Sequence, residues 1–473
     1  MNAIVSKDLL LLSRESLVKG LLLVTALLVV VSVLTGLQRE QVFDKERSAA
    51  LNTDREVWMN QGDRNPHSAA HFSRYAFRPA SPLGMLDPGT TDFAGLAIWM
   101  EAHYQDPAVF RRAEDGGELS RYATLTPAFL FLTVGPLVVF LMLFGSIAGE
   151  REDGTLRQLL ATGVDARQFF SGKLVAGLRL VMLAYTAIFI PAALFSVFTT
   201  PATATADAWL RLLTLYVTYA AYLAAFTAVA IGASALFRTR QAAFLTLTCV
   251  WALSTVIVPR FAADLGTSLT PQPDARAAAE RLSAASGAYR SDPERRARIE
   301  QDVLDRYGVA SVEELPISYS AFVLQTSEEL SEPEFDRFYG DLDARYVAQE
   351  SVARWFSLLT PTVATSSLSR GIAGTDRTHQ RSFTNAAEQH RRTMIKMLNE
   401  DYMYNAAGAG AAYTANEALW AKFDDFAYQM PSLPQVAGTY GRDAFVLLVW
   451  LFVAIGVAYR LVGRAVRGEV PTA

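Results

Sequence analysis

Cysteine is almost missing from this chain. The only one in 473 residues, Cys249, lies inside an apolar run, so no disulfide can form within the chain, and its polar segments must hold by packing alone. Charge is also scarce: Asp, Glu, Lys and Arg make up 19% of the residues and nearly cancel, to a formal net charge of -4. No Lys/Arg block stands apart from the flanks of the apolar runs, which excludes the electrostatic footprint of a nucleic-acid binder. A phosphate loop is lacking as well. The nearest candidate, Gly163 to Lys173, has Arg167 where the first glycine belongs and Leu174 where a Ser or Thr belongs, so any nucleotide must be held by another chain. Inside the apolar runs ionisable residues are nearly absent, which argues against a proton relay or a fixed ion site.

What the chain does have is apolar length. Hydrophobic residues reach 51%, gathered in runs that match the roughly 20 residues needed to cross a bilayer. Six spans are expected, at residues 17–37, 125–148, 174–198, 209–236, 242–258 and 444–462. Residues 1–16 interleave Ile4, Val5, Leu9, Leu10 and Leu12 with Lys7, Asp8, Arg14 and Glu15, the pattern of an amphipathic helix in the membrane interface. A plain extension of the first span fits that periodicity equally. The first apolar run is too long for a signal-peptide core and is expected to stay as an anchor. Lys7, Arg14, Lys19, Arg151, Arg157, Arg167, Lys173, Arg238, Arg240, Arg460, Arg464 and Arg467 all fall on one side of a six-span chain. That side is expected to be cytoplasmic, with both termini and the tail 463–473 on it.

The fold class that follows is an all-α polytopic membrane protein with six transmembrane helices and two mainly helical extracytoplasmic insertions, after spans one and five. The first, residues 38–122, is broken by Pro66, Pro79, Pro82, Pro88 and Pro107 into short helices and loops. The second, residues 259–440, is long enough to be a domain in its own right. Within it Ser331-Glu-Pro-Glu334 reads as a helix start, with the helix running to about Leu359, and Asp376 to Asn399 and Asn416 to Met430 read as two more. Trp355, Phe356, Leu358 and Leu359 suit either the outer membrane interface or, as the preferred reading, the domain's own core.

Four features bear on function. Ala220, Ala224, Ala228 and Gly232 repeat small residues every fourth position in span four, a helix-packing face. Thr214, Thr218, Tyr219 and Tyr222, with Thr246, Thr248, Ser254 and Thr255 in span five, suit hydrogen bonds between helices more readily than a substrate path. His67 and His71 stand at i, i+4 and could meet His103 and Glu101, but no His-Glu-x-x-His pattern is present, and no metal or catalytic residue is assigned. The fourth is the loop at residues 149–173. Glu150, Arg151, Glu152 and Asp153 follow directly on span two and Gly154 allows a sharp turn. Thr155 can then open a short helix, with Leu156, Leu159 and Leu160 on one face and Arg157 and Gln158 off it.

Glu150-Arg-Glu-Asp-Gly-Thr-Leu-Arg-Gln-Leu-Leu160, then Gly163-Val164 and Gly172-Lys173, resembles the Glu-x-Glu-x-Gly-Thr-Leu segment and Gly-Lys ending of ABC-2-type permeases, the membrane subunits of type V ABC transporters. Tyr75-Ala-Phe-Arg-Pro-Ala-Ser-Pro-Leu83, Leu86-Asp-Pro-Gly89, Val258-Pro-Arg-Phe-Ala-Ala-Asp264, Gly371-Ile-Ala-Gly-Thr-Asp376, Phe383 and Ala387-Glu-Gln-His-Arg391 resemble a bacterial subfamily of unknown function with two large extracytoplasmic insertions. The resemblance implies a coupling helix made of Glu150, Arg151, Glu152, Gly154, Thr155, Leu156, Leu159 and Leu160, seated in a cleft of a separate ATPase. It also implies an ATPase dimer carrying ATP and Mg, a second permease (identical or paralogous), no cofactor in this chain, and a bacterial inner membrane. Three functions remain open on the residues: ATP-driven export or extrusion of an unknown substrate, mechanical action on a periplasmic or envelope partner without transport, and, remotely, a membrane metalloenzyme.

Overall fold

The computed structural model describes residues 2–72, 74–115, 125–199, 205–287, 289, 291–407 and 409–468. The end of the first polar segment (116–122), the turn between spans three and four (200–204) and the last tail residues (469–473) lie outside them. Among the described residues six helices are long and apolar enough to cross a bilayer: Ser16–Met59, Pro127–Glu152, Ala166–Phe198, Ala206–Leu236, Arg240–Leu269 and Leu433–Val466. Sheet is confined there to one two-stranded hairpin. The protein is an all-α polytopic membrane protein.

Helix α1 (Asn2–Arg14) is separated from α2 (Ser16–Met59) by the extended backbone of Glu15. It buries Ile4, Val5 and Asp8 and leaves Leu10 and Leu11 exposed, which is how an interfacial helix divides its faces between protein and lipid. The helix of the first span does not stop at residue 37. Residues 38–59 contain neither Gly nor Pro, and α2 continues through them as one 44-residue helix, roughly 33 Å past Leu37. Beyond it the first polar segment forms the short α3 (Pro66–Ala70) and an antiparallel hairpin, β1 (Tyr75–Phe77) with β2 (Ala97–Trp99).

Span two contains α4 (Gly135–Leu143), preceded by a π-helical turn at Leu130–Val134. Pro136 cannot donate to the carbonyl of Leu132, and the Tyr222 hydroxyl takes that carbonyl instead at 2.7 Å. The chain then makes α5 (Ala148–Glu152) and α6 (Thr155–Ala161), followed by α7 (Ala166–Thr199) and α8 (Ala206–Leu236). Span five repeats the pattern of span two: α9 (Arg240–Trp251), a π-helical turn at Ala252–Ile257, then Pro259 near the start of α10 (Val258–Leu269). Here the Thr360 hydroxyl donates to the carbonyl of Ser254 at 3.0 Å.

The second polar segment brings α11 (Ala275–Ser286), α12 (Pro293–Tyr307) and α13 (Tyr319–Trp355). Helix α13 starts twelve residues before Ser331, capped by Ser318, and Pro333 lies in its interior. The Ser331 hydroxyl is not a cap; it bonds back to the Ser327 carbonyl at 2.6 Å. Helix α14 (Pro361–Ala373) then leaves the polar region and packs between α8 and α16 (Leu433–Val466) inside the bundle. Thr362 meets Tyr222 at 2.9 Å and Ser369 meets Tyr219 at 2.6 Å. Tyr222 is 14 residues from the end of α8 at Leu236, roughly 21 Å up the helix, so α14 is re-entrant. Ahead of it Trp355, Leu358 and Leu359 are 61%, 58% and 63% exposed, which overturns their reading as core, while Phe356 is part-buried against Phe261. Helix α15 (Arg377–Asn405) follows, while in the stretch from Asn416 to Met430 only Glu417–Trp420 is helical.

The two polar segments are not separate domains. Trp58, Ala69, Ala70, Ala76, Ile98 and Met100 from the first share one core with Phe383, Ala387, Met394, Leu398 and Trp420 from the second. The Trp58 indole donates to the Trp420 carbonyl at 2.9 Å, and Arg74 pairs with Asp425 at 2.6 Å. This composite domain is tied to the bundle by Arg211. Its guanidinium, fully buried, meets Asp207 and the carbonyls of Ile372 and Pro431 at 2.6, 2.9 and 2.6 Å.

Candidate functional site

The loop between spans two and three forms two short helices because Gly154, with φ at +75°, turns the chain through the left-handed region that other residues resist. Leu156 is buried beside Ile4, Ile147, Phe169 and Phe170, and Leu159 and Leu160 pack partly against the same cluster. The apolar face of α6 therefore rests on its own protein. Glu152, Gly154, Arg157, Gln158, Ala161 and Thr162 remain exposed.

The charged residues before the turn connect to four other elements. Glu150 is buried and accepts from Lys173 at 2.5 Å and from Lys7 at 2.7 Å, and Lys173 also pairs with Asp8 at 2.9 Å. Span three and α1 are thus joined to α5 through one ion cluster. Burial pushes the Asp8 carboxyl above its usual range, against the pull of Lys173. Arg151 donates to the Phe237 carbonyl and, at 3.0 Å, to that of Ala235, satisfying the open C-terminal end of α8. The Glu152 carboxylate accepts from the backbone N–H of Arg240 at 2.9 Å, at the open N-terminal end of α9, and Asp153 pairs with the Arg240 side chain. Gly149 lies beneath that guanidinium: a Cβ there would meet Arg240 Nε at 2.5 Å, so the half-exposed Arg240 side chain would have to shift. Sequence reasoning marked Glu150, Arg151 and Glu152 but missed Lys7, Asp8, Lys173 and Arg240 as their partners. The only signal for them was the nearness of basic residues to span ends.

The end of the small-residue stripe at Ala228 and Gly232 lies where α8 meets α16, the most extensive helix pair among the described residues. Ala228 is buried, and a Cβ on Gly232 would stand 3.2 Å from Ala458 Cα; Ala220 and Ala224 are part-buried. Among the polar residues of span four, Tyr219 and Tyr222 bond to α14, while Thr214 and Thr218 bond back to their own helix. In span five Thr248 and Thr255 also bond back, and the Ser254 carbonyl is taken by Thr360. Ionisable groups do occur in the spans: besides Arg211, Asp443 is buried in α16 and accepts from Ser367 at 2.7 Å. A cleft of about 810 Å³, lined by Val42, Phe43, Phe77, Phe93, Arg39 and Arg112, lies beside the outer half of α2 rather than within the bundle. His67, His71 and His103 converge in the composite domain, with one ring nitrogen of each within 4.8 Å of the others.

Six spans, a surface loop bonded to spans three, four and five, and a polar domain at the far end define a multi-pass membrane protein. Residues 103–272 match the family described as ABC-2 family transporter protein, which supports an ABC-2-type permease. Residues 275–429, most of the second polar segment, match a domain of unknown function. No curated protein matches the chain.

Proposed function

We propose that this chain is the permease subunit of an ABC exporter or extruder of the bacterial inner membrane, driven by a separate ATPase dimer that holds ATP and Mg. The observation that carries the reading is the set of bonds from Glu150, Arg151 and Glu152 to spans three, four and five. A push on α5 and α6 moves all three together with span two, of which α5 is the continuation. The exposed residues Glu152, Arg157 and Gln158 are the docking surface, while Leu156, Leu159 and Leu160 hold the helix to the bundle. The positive residues at this end make it cytoplasmic. The test is ATP hydrolysis by the complex purified through this chain. Arg157→Glu with Gln158→Glu should lower it at least about tenfold, the effect of losing roughly 1.4 kcal/mol of coupling, while insertion and the folded permease are retained. Hydrolysis at the wild-type level in that variant would refute the docking surface.

One observation favours a second reading, mechanical action on an envelope partner. Helix α2 is continuous from the membrane to Trp58 in the outer core, so any tilt of span one is delivered to the composite domain as a lever. Breaking that lever with Gly and Pro near Arg47 separates the readings. Loss of outer-domain movement with ATP-driven substrate release intact favours export, and loss of movement in a protein that releases no substrate even as the wild type favours mechanical work.

A further inference from the structure

His67 and His71 are placed by α3, whose start is fixed by Pro66 and by Asn65 accepting from the His67 N–H at 2.9 Å. His103 lies in the loop after β2, its N–H held by Glu101 at 3.3 Å. The three ring centroids form a nearly even triangle, 5.0, 5.1 and 5.0 Å apart.

The Nδ1 atom of each ring faces an oxygen. His71 Nδ1 stands 3.6 Å from Glu101 Oε2 and His103 Nδ1 is 2.6 Å from Glu328 Oε1. His67 Nδ1 is 3.3 Å from Asn399 Oδ1, and a relay fixes which atom donates. Glu329 accepts from Gln325 Nε2 at 2.9 Å, and Gln325 Oε1 accepts from Asn399 Nδ2 at 3.1 Å. Asn399 therefore presents its oxygen to His67, which must carry its proton on Nδ1. Nδ1 thus has a hydrogen-bond partner on His67 and His103 and is turned toward Glu101 on His71, which leaves the Nε2 atoms free to ligate. Imidazoles oriented from behind by carboxylates and amides in this way are the usual outer shell of a metal site.

We propose that His67, His71 and His103 bind one divalent transition-metal ion of the zinc class through their Nε2 atoms, with a fourth position open to water or an exchangeable ligand. Three imidazoles suit zinc, copper or nickel rather than the hard cations magnesium and calcium. With those nitrogens no more than 4.8 Å apart, a point about 2.8 Å or less from each exists, so each closes by about 0.7 Å at most to reach a zinc bond length. The His71 side chain is 41% exposed, which gives the ion an entry path. Two of the three orienting residues, Asn399 and Glu328, come from the second polar segment and all three ligands from the first. An ion here fastens the two segments together, independently of how the bundle is driven.

The test uses the full chain in detergent with a tag that contains no histidine. Zinc titrated into the chelator-treated protein should bind at one ion per chain, and cobalt in its place should show the visible bands of a low-coordinate site. His67→Ala/His71→Ala/His103→Ala should bind none, and Glu328→Gln should bind about 10- to 100-fold more weakly. His71→Ala, at the most exposed ligand, serves as the variant least able to disturb folding, and zinc should raise the unfolding temperature of the wild type but not of this variant. No zinc bound by the wild type at micromolar concentration, or wild-type binding by His71→Ala and the triple variant, overturns the proposal.

Discussion

Replacing Lys173 by Met should damage the protein more than replacing its partner Glu150 by Gln, and the ion cluster gives the reason. Four groups balance there: the carboxylates of Asp8 and Glu150 against the ammonium groups of Lys7 and Lys173. Lys173 is 2% exposed and touches both carboxylates, whereas Lys7 is 34% exposed and touches Glu150 alone. Lys173→Met fills the same space but leaves Asp8 unpaired and Glu150 with the part-exposed Lys7 alone, a loss of about 3–5 kcal/mol. Glu150→Gln keeps an acceptor for Lys173 and leaves the Lys173–Asp8 pair intact, so the loss is about 1–2 kcal/mol. Asp8→Asn/Glu150→Gln/Lys173→Met removes the charge conflict together with the charges and should recover to within about 1 kcal/mol of Glu150→Gln. Denaturant unfolding in detergent, followed by tryptophan fluorescence, measures all three. Equal losses for Lys173→Met and Glu150→Gln, or a triple variant worse than Lys173→Met, would refute the account of the cluster as a balanced set of charges.

Two further outcomes follow from the outer domain. Burial alone would raise Asp376, but bonds from His379 at 2.6 Å and from the Tyr440 hydroxyl at 2.6 Å outweigh it and hold its pKa down at about 2. A depressed carboxylate stabilises the fold above its unfolded pKa near 4 and loses that contribution as pH falls toward 2. Asp376→Asn should therefore be less stable than the wild type at pH 7 and show a flatter decline between about pH 4 and 2 when unfolding is followed against pH. Trp58→Ala empties a fully buried site that both polar segments share. It should cost about 3–5 kcal/mol and expose residues of both segments to protease together, an outcome two independent domains would not give.

The spans were legible because lipid leaves the backbone no alternative to a long apolar helix. The turn at Gly154 was legible because its charges cannot enter lipid. The composite core was not, since Trp58 and Trp420 are 362 residues apart in sequence and nothing local in either segment announces the other. Helix α13 was misread from a proline: Pro333 after Ser331 has the pattern of a helix start, and only the tertiary packing of residues 319–330 shows that the helix was already under way. The re-entrant α14 hid for another reason. Its Thr, Ser, Ala and Gly residues are too polar to score as a span, yet their hydroxyls are bonded by Tyr219, Tyr222 and Thr360 within the bundle. The histidine triangle was legible as the i, i+4 pair with His103 and Glu101, while its other orienting residues, Glu328 and Asn399, were beyond any motif.

The shared core changes what counts as a part of this protein. Each polar segment carries only one side of a common interior, so either segment made alone would present that side to water as a sticky surface. A fragment covering residues 275–429 is then a poor subject for expression, and grafting one segment between related permeases would join mismatched halves. The smallest exchangeable piece is the pair of segments, carried together with the rod of α2 that delivers Trp58 to it.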